Sequence, residues 1–477
     1  MRSPANHSEA LADASVARDP QTAAARLPPE ARLYALQELA RRSGVSKHFF
    51  RTWKMEVEAS VTRVIFRDAP AKIEFLHPAE PPWPLPASEI PVARALWPDG
   101  RSAPGDDLVL PFCAEAQARN PLYRFAGQDR VICTLDLLGS FVLTLSRAEE
   151  RISKAFDQHG RFPASASLAH RHGFLERPVL DEHGLAFEQV LSRLLPAWRP
   201  EPRMPRLKLT HDIDHIGMPF QLRNTLGHTW RRAPRGTLRD LAAAISSAEP
   251  AELASVLQLA RISASANFRS AFYWKASPQG RYDSGYDPAH RKVQLVLASL
   301  RNAGHELGIH PGYETFGDRS KLAAEVACLR QALCAVSPGG RQHYLRWAPA
   351  TWLDWEACGL CYDSSLGFAD AFGFRCGTSF PFRPFSLEQN RELRLLELPL
   401  ILMDCTPVKY MKLPRVEALC RIEKLVERVK RTGGVFTLLW HNSTLLDRAY
   451  DGWYEAILGL LAGMPSCELP EDPQELW

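Results

Sequence analysis

No stretch of this 477-residue chain stays apolar for long. A membrane-crossing helix needs about 20 consecutive, mostly apolar residues. The nearest run, Val131–Leu145, is shorter and Asp136 interrupts it, so no helical span is expected. Residues 1–30 scatter Ala, Pro and Arg without a secretory apolar core, and a cytoplasmic protein is expected. Charge of one sign is also lacking. Lys and Arg number 58 against 54 Asp and Glu, a net +4, too little to hold nucleic acid. Cysteine is sparse, ten in the whole chain, which excludes a disulfide scaffold. Cys328, Cys334 and Cys420 stand in apolar periodic contexts and read as buried free thiols. Cys358-Gly-Leu-Cys361 has zinc-knuckle spacing but lacks a second pair at a matching distance.

What is present is an ordinary globular composition, 45% hydrophobic and 23% charged, with length for two or three domains. Residues 1–28 are polar enough to be disordered. Residues 29–200 carry an amphipathic helix over Pro29–Arg42 and strands at Val61–Phe66, Lys72–Leu76, Leu108–Phe112 and Val131–Cys133. Further helices are expected over Leu135–Arg151 and Phe187–Leu195, making a smaller α/β or α+β accessory domain. Pro196, Pro200, Pro202 and Pro205 then form a breaker-rich linker. From 206 to 477 the pattern becomes strand–helix alternation. Seven strands are expected, at Leu207–Thr210, Ser270–Trp274, Glu306–His310, Tyr344–Trp347, Tyr362–Ser364, Leu395–Leu402 and Val435–Trp440. Helices such as Arg291–Asn302, with Val293, Val296, Leu297 and Leu300 on one face, lie between them. This alternation predicts a distorted (β/α)7-type barrel. A helical insertion over Pro219–Ala264 could cover its mouth.

The chemistry concentrates where strands end. Leu207–Thr210 runs into His211-Asp212-Ile213-Asp214-His215. In extended chain Asp212 and Asp214 point the same way, and such a cluster is costly to bury unless it shares a cation or a proton. The third strand ends on His310, the fourth carries Arg346, and the seventh is followed by His441. Asp404 follows the sixth and either touches substrate or caps a helix. Tyr282-Asp283-Ser284-Gly285-Tyr286-Asp287 reads as a turn that could line the site. Arg341-Gln342-His343-Tyr344 reads as a loop, with His343 solvated and Arg341 in reach of a substrate hydroxyl or carboxylate.

Over roughly Arg206 to Gly463 the chain resembles the polysaccharide deacetylases of the NodB-homology type. His211-Asp212-Ile213-Asp214-His215 is similar to the first motif of that family, Gly304–His310 to the second, Arg346 with Pro349 to the third, Leu395–Leu402 to the fourth, and Leu439-Trp440-His441 to the fifth. The resemblance implies Asp212 as general base, Asp214 and His310 as ligands of a divalent metal, zinc first, Arg346 as the group that orients the base, and His441 as the acid that protonates the leaving amine. The family's second motif ordinarily supplies another histidine four residues on. Here that position is Glu314, which leaves Glu314 or His215 as third ligand, or a site of two protein ligands. Trp347, Trp352 and Trp440 could offer faces for sugars, with Pro349 and Asp404 beside them.

The expected activity is hydrolysis of an acyl group from an N-acylated sugar or glycan precursor. The alternatives are an allantoinase-like hydrolase of a non-sugar C–N bond and a non-catalytic carbohydrate-binding protein on the same barrel.

Overall fold

The computed structural model describes residues 27–67, 69–78, 89–100, 107–113, 121–217, 250–335 and 338–469. The expected disorder of residues 1–28 falls almost wholly outside these, as does most of the expected insertion. Its C-terminal end is a helix, Ala251–Ser265. Among the described residues no helix is long and apolar enough to cross a membrane. The described cysteines are free, and Cys328, Cys334 and Cys420 are exposed rather than buried.

The first half is built on β1 (Trp53–Val57), β2 (Val61–Phe66), β3 (Lys72–Leu76), β4 (Val92–Ala95), β5 (Leu108–Pro111), β6 (Tyr123–Phe125) and β7 (Arg130–Cys133). A sheet of order β1-β2-β3-β7-β6 is antiparallel except where β3 meets β7. The helix Val179–Leu194 drops Phe187 onto this sheet, among the rings of Trp53, Phe75 and Tyr123. That helix begins eight residues before the Phe187 start expected, because Gly184 hides its first two turns from a propensity reading. Gly184 is there for contact: a Cβ would lie 2.6 Å from the Arg42 backbone.

The single helix expected over Leu135–Arg151 is two, Leu137–Leu145 and Ala148–Ile152, parted at Arg147 with φ 54°. A left-handed arginine costs about 1–2 kcal/mol. Offsetting it, the buried guanidinium donates to Glu149 and Glu150 at 2.8 Å and to the Arg375 carbonyl at 2.5 Å.

The second half holds β8 (Arg206–Asp212), β9 (Ser270–Trp274), β10 (Glu306–Ile309), β11 (Tyr362–Asp363), a small hairpin of β12 (Phe385–Ser386) and β13 (Arg391–Glu392), then β14 (Leu396–Glu397), β15 (Leu402–Met403) and β16 (Val435–Leu439). β10-β9-β8-β16-β15 form one parallel sheet, and β11 pairs with β14 in parallel. β9 and β16 are buried at every residue, as expected of parallel strands covered on both faces. The helix Arg291–Asn302 packs Val293, Val296, Leu297 and Leu300 inward, and Arg415–Thr432 packs Ile422, Leu425, Val426 and Val429.

The strand expected over Tyr344–Trp347 is not formed. Its place is taken by one residue, Gly340, bridged to Ile309 on one side and Asp363 on the other. A Cβ on Gly340 would lie 1.9 Å from the Ile309 carbonyl oxygen, and one on Gly339 would lie 2.0 Å from the Tyr362 ring. Only glycine allows this approach. Tyr344 and Leu345 instead turn left-handed, φ 62° and 56°. The segment holding β14 and β15 pairs with β11 at its start and with β16 at its end.

The two halves interlock through buried charge. Glu150 accepts from Arg375 at 2.6 Å, and Asp181 accepts from the Ser379 amide and hydroxyl at 2.8 and 2.7 Å. Arg42 bonds both Asp181 and the Thr378 hydroxyl.

Candidate active site

Chemistry in parallel α/β sheets collects beyond the carboxyl ends of strands. Here β8 ends on Asp212, and β10, Gly340, β15 and β16 are followed by His310, Arg341, Asp404 and Trp440-His441. The side chains after these ends meet at one rim.

Asp212, 2% exposed, accepts from Arg341 Nη1 at 2.9 Å through Oδ1, and its Oδ2 lies 3.8 Å from His310 Nε2. Arg341 is fully buried and commits three further donors to Thr210 Oγ1 and to the Ser364 carbonyl and hydroxyl, at 2.8–3.0 Å. It therefore cannot swing away from Asp212. Asp214 Oδ1 sits 3.1 Å from His310 Nε2 and 3.3 Å from His343 Nε2, and its Oδ2 is 3.7 Å from His441 Nε2. Burial pushes the Asp214 carboxyl up, but His343 and His310 reverse this and hold it well below the usual carboxylate range.

Three histidines share one arrangement. His310 Nδ1 faces the Arg341 carbonyl at 2.7 Å, His343 Nδ1 faces Asp283 Oδ1 at 2.8 Å, and His441 Nδ1 faces Asp404 Oδ1 at 2.9 Å. The Arg341 carbonyl and Asp404 can only accept, so His310 and His441 carry a proton at Nδ1, whereas His343 Nδ1 also lies 3.3 Å from the donor Lys275 Nζ; all three Nε2 are turned to Asp214. Asp283 is itself held by Lys275 Nζ at 2.5 Å and the Tyr313 amide at 2.8 Å. Burial pushes Asp283 up, but His343 and Lys275 keep it well below the ordinary range. Burial alone would lower His441; Asp404 outweighs that and holds the imidazole well above its usual value.

Asp214 Oδ1, His310 Nε2 and His343 Nε2 lie within 4.8 Å of one another. Asp214 Oδ1 and His310 Nε2 are buried and no hydrogen bond satisfies either. Two orphaned acceptors 3.1 Å apart beside a second imidazole nitrogen, His343 Nε2, are what a divalent cation would satisfy, and the mixed N/O set suits zinc. A second cluster, Asp404, Cys405 and His441, is accounted for by Asp404, which accepts from the Cys405 and His441 amides at 2.7 Å.

Asp212, Asp214, His310, Asp404 and His441 are thus brought together, while other expected residues are not. Glu314 is exposed and stands outside the cluster, because the chain turns into a short helical turn, Tyr313–Thr315, straight after His310-Pro311-Gly312. His215 is half-buried, its carbonyl accepting from Asn442, and is likewise outside. Arg346 does not meet Asp212; it donates to the His159 and Tyr313 carbonyls at 2.9 and 2.7 Å. Trp347, Trp352 and Trp440 are at most 2% exposed and offer no open face. Trp347 packs on Trp352, and Trp440 on Tyr454. Pro349 opens the helix Pro349–Ala357. The expectation set Arg341 toward a substrate group and His343 in solvent, whereas Arg341 bonds Asp212 and His343 faces Asp214. Their signal was the Gly339-Gly340 pair before an Arg-x-His.

Beneath Arg341, Asp363 and Glu397 face each other on β11 and β14. Asp363 Oδ2 and Glu397 Oε1 are buried without a partner, while Glu397 Oε2 accepts from Trp352 Nε1 at 2.8 Å. Burial raises both carboxyls, Glu397 further through its neighbour Asp363, and Asp363 is pushed up to about 6. Between about pH 4 and about pH 6 the folded state keeps a proton that the unfolded chain releases, so stability falls as pH rises through that window. Glu397→Gln, which puts an amide donor beside Asp363, should flatten that slope and leave stability at pH 7 equal or higher. Urea unfolding at intervals from pH 4 to pH 7 measures it; an unchanged slope would exclude the pair as its source.

Comparison with known proteins gives the following. A family of unknown function, DUF7033, matches residues 46–196. No curated protein matches the chain. Among solved structures, the chain is similar to a protein assigned as a polysaccharide deacetylase from Mycobacterium smegmatis, at 17% identity and TM-score 0.36, over 56% of this chain and 85% of that one. One from Bordetella bronchiseptica, assigned as a polysaccharide deacetylase involved in O-antigen biosynthesis, gives 14%, 0.27, and 50% and 71%. A family 4 carbohydrate esterase from Streptomyces lividans in complex with acetate gives 14%, 0.28, and 57% and 94%.

Proposed function

We propose that this chain is a metal-dependent hydrolase that removes the acyl group from an N-acylated sugar. The observation that carries it is the three-ligand cluster of Asp214, His310 and His343 flanked by two groups that each have a buried, charged partner, Asp212 with Arg341 and His441 with Asp404. The motif resemblance over residues 206–463 agrees with it. A two-ligand site would have favoured a non-catalytic binding protein; His343 makes the set three. On this reading residues 206–477 form the hydrolase unit and 29–200 an accessory unit. Gly340 counts as one strand position and Leu396–Met403 as another, which closes a seven-position barrel. Zinc is the metal, and the protein acts in the cytoplasm on a glycan or glycan precursor.

When bound, the metal would polarise the amide carbonyl and acidify the attacking water. Asp212, oriented by Arg341, takes that water's proton at Oδ2. His441 carries a proton at Nε2, because Asp404 keeps the imidazole charged, and gives it to the departing nitrogen. Amide anions are poor leaving groups, so this transfer is needed for C–N cleavage.

The test is acetate release from N-acetylglucosamine oligomers by zinc-loaded protein. Asp212→Asn should keep the metal, by elemental analysis, and lose about 10²–10⁴ in kcat, the usual contribution of a positioned base. Full activity in Asp212→Asn, or a wild-type protein that takes up no metal, would sink the proposal.

A further inference from the structure

We propose that Lys275 is a positioning residue that sets how readily the candidate centre takes up its metal, by competing with Asp283 for Nδ1 of His343. The inference rests on the metal centre proposed above. Of the two imidazoles in that ligand set, His310 turns its Nδ1 to a carbonyl, that of Arg341, at 2.7 Å. His343 is placed differently. Its Nδ1 lies 2.8 Å from Asp283 Oδ1 and 3.3 Å from Lys275 Nζ, and these two are 2.5 Å apart. One ring nitrogen thus faces an acceptor and a donor at once.

A neutral imidazole carries one N–H and one free lone pair, and its neighbours choose which nitrogen has which. With the proton on Nδ1, His343 donates to Asp283 and offers the Nε2 lone pair to a cation. With the proton on Nε2, Nδ1 accepts from Lys275, and Nε2 donates to Asp214 Oδ1, 3.3 Å away. That second form ties two of the candidate ligands to each other and leaves His343 nothing to ligate with. The two forms hold the same number of protons. Passing from the second to the first moves one proton from Nε2 to Nδ1 and turns Lys275 wholly to Asp283.

The three groups are held in place, so the contest is settled by the proton. His343 is buried, its amide donates to the Pro311 carbonyl at 3.2 Å, and left-handed Tyr344 follows it. Lys275 is buried where the chain leaves β9. Its amide donates to the Tyr286 hydroxyl at 2.8 Å, which donates in turn to the Ile213 carbonyl, between the two aspartates, at 2.8 Å. Asp283 Oδ2 accepts from the Tyr313 amide at 2.8 Å. The turn Tyr282–Asp287 therefore carries both the rival of Lys275 and its anchor. Fixing Asp283 does not by itself call for a cation beside a cation site. A buried ammonium here repels an incoming divalent ion and favours the form of His343 that cannot ligate it. Both effects weaken uptake, so Lys275 opposes the support that Asp283 gives.

The experiment is zinc binding by chelator competition, joined to nitrogen NMR of labelled histidine in metal-free protein, the His343 signal being the one lost in His343→Ala. In wild type the His343 proton should sit on Nε2. Lys275→Met keeps the stem and removes the donors and the charge. It should move the proton to Nδ1 and tighten zinc binding about tenfold or more, on the scale of about 10–100-fold at which outer partners act on metal-bound imidazoles. A lysine that only propped Asp283 would give the opposite sign, because its loss would loosen the ligand. Unchanged or weaker zinc binding by folded Lys275→Met overturns the proposal. So does an Nδ1 proton in metal-free wild type, a reading that decides even where Lys275→Met does not fold. Tighter zinc in Lys275→Met with no acetate released by loaded wild type leaves the role of Lys275 standing while the hydrolase reading falls. Active, zinc-loaded wild type with no tightening in the variant does the reverse. A wild type that takes up no zinc overturns both.

Discussion

His343→Ala should cost the protein its metal, and Glu314→Ala should not. The His343 Nε2 sits 3.3 Å from Asp214 Oδ1, and its Nδ1 lies 2.8 Å from the Asp283 carboxylate. Removing such a carboxylate partner alone typically weakens a metal site about 10–100-fold, so removing the ligand should weaken it by at least about 100-fold on the same scale. Asp283→Asn should fall between wild type and His343→Ala. Glu314, exposed beside Arg346, has no part in the cluster. Zinc affinity measured by competition with a chromogenic chelator separates the variants. A loaded His343→Ala with an empty Glu314→Ala would restore the ligand set expected from the spacing after His310.

The second large effect concerns the two arginines. Arg341→Ala leaves Asp212, 2% exposed, without its charged partner. Breaking a buried pair from one side costs about 3–5 kcal/mol, and turnover should fall with it. Arg346→Ala removes two bonds to carbonyls and a stacking contact from a half-buried site. Its cost should be about 1–2 kcal/mol, in the range of single hydrogen bonds. Urea unfolding of both variants decides the matter; an Arg341→Ala within about 0.5 kcal/mol of wild type, the range of surface changes, would refute the pairing.

Much of the architecture was legible because it is written in apolar periodicity. Ser270–Trp274 and Val435–Leu439 are runs that parallel burial requires, and Arg291–Asn302 shows one apolar face. The ends of the Leu207–Thr210, Glu306–His310 and Val435–Trp440 runs led to Asp212, Asp214, His310 and His441. The fourth position was not legible. A strand reduced to Gly340 has no side chain to register in any pattern, whereas Tyr344-Leu345-Arg346-Trp347 has the composition of a strand and none of its pairing. That shift moved the expected arginine from 341 to 346 and hid His343 in a presumed loop. The tryptophans misled for a different reason. Composition reports that a ring is present, and only packing reports whether its face is open.

The buried polar matches that cross between the halves bear on inheritance. Arg375 is matched to Glu150, and Asp181 is matched to Ser379. Neither half can be exchanged for a distant cousin's without stranding a charge or a buried acceptor on the half that remains. Recombination at the proline-rich junction would therefore be selected against unless both sides of each match travelled together. The two halves would then drift as one lineage, although a substitution at Arg375 still leaves Glu150 paired with Arg147.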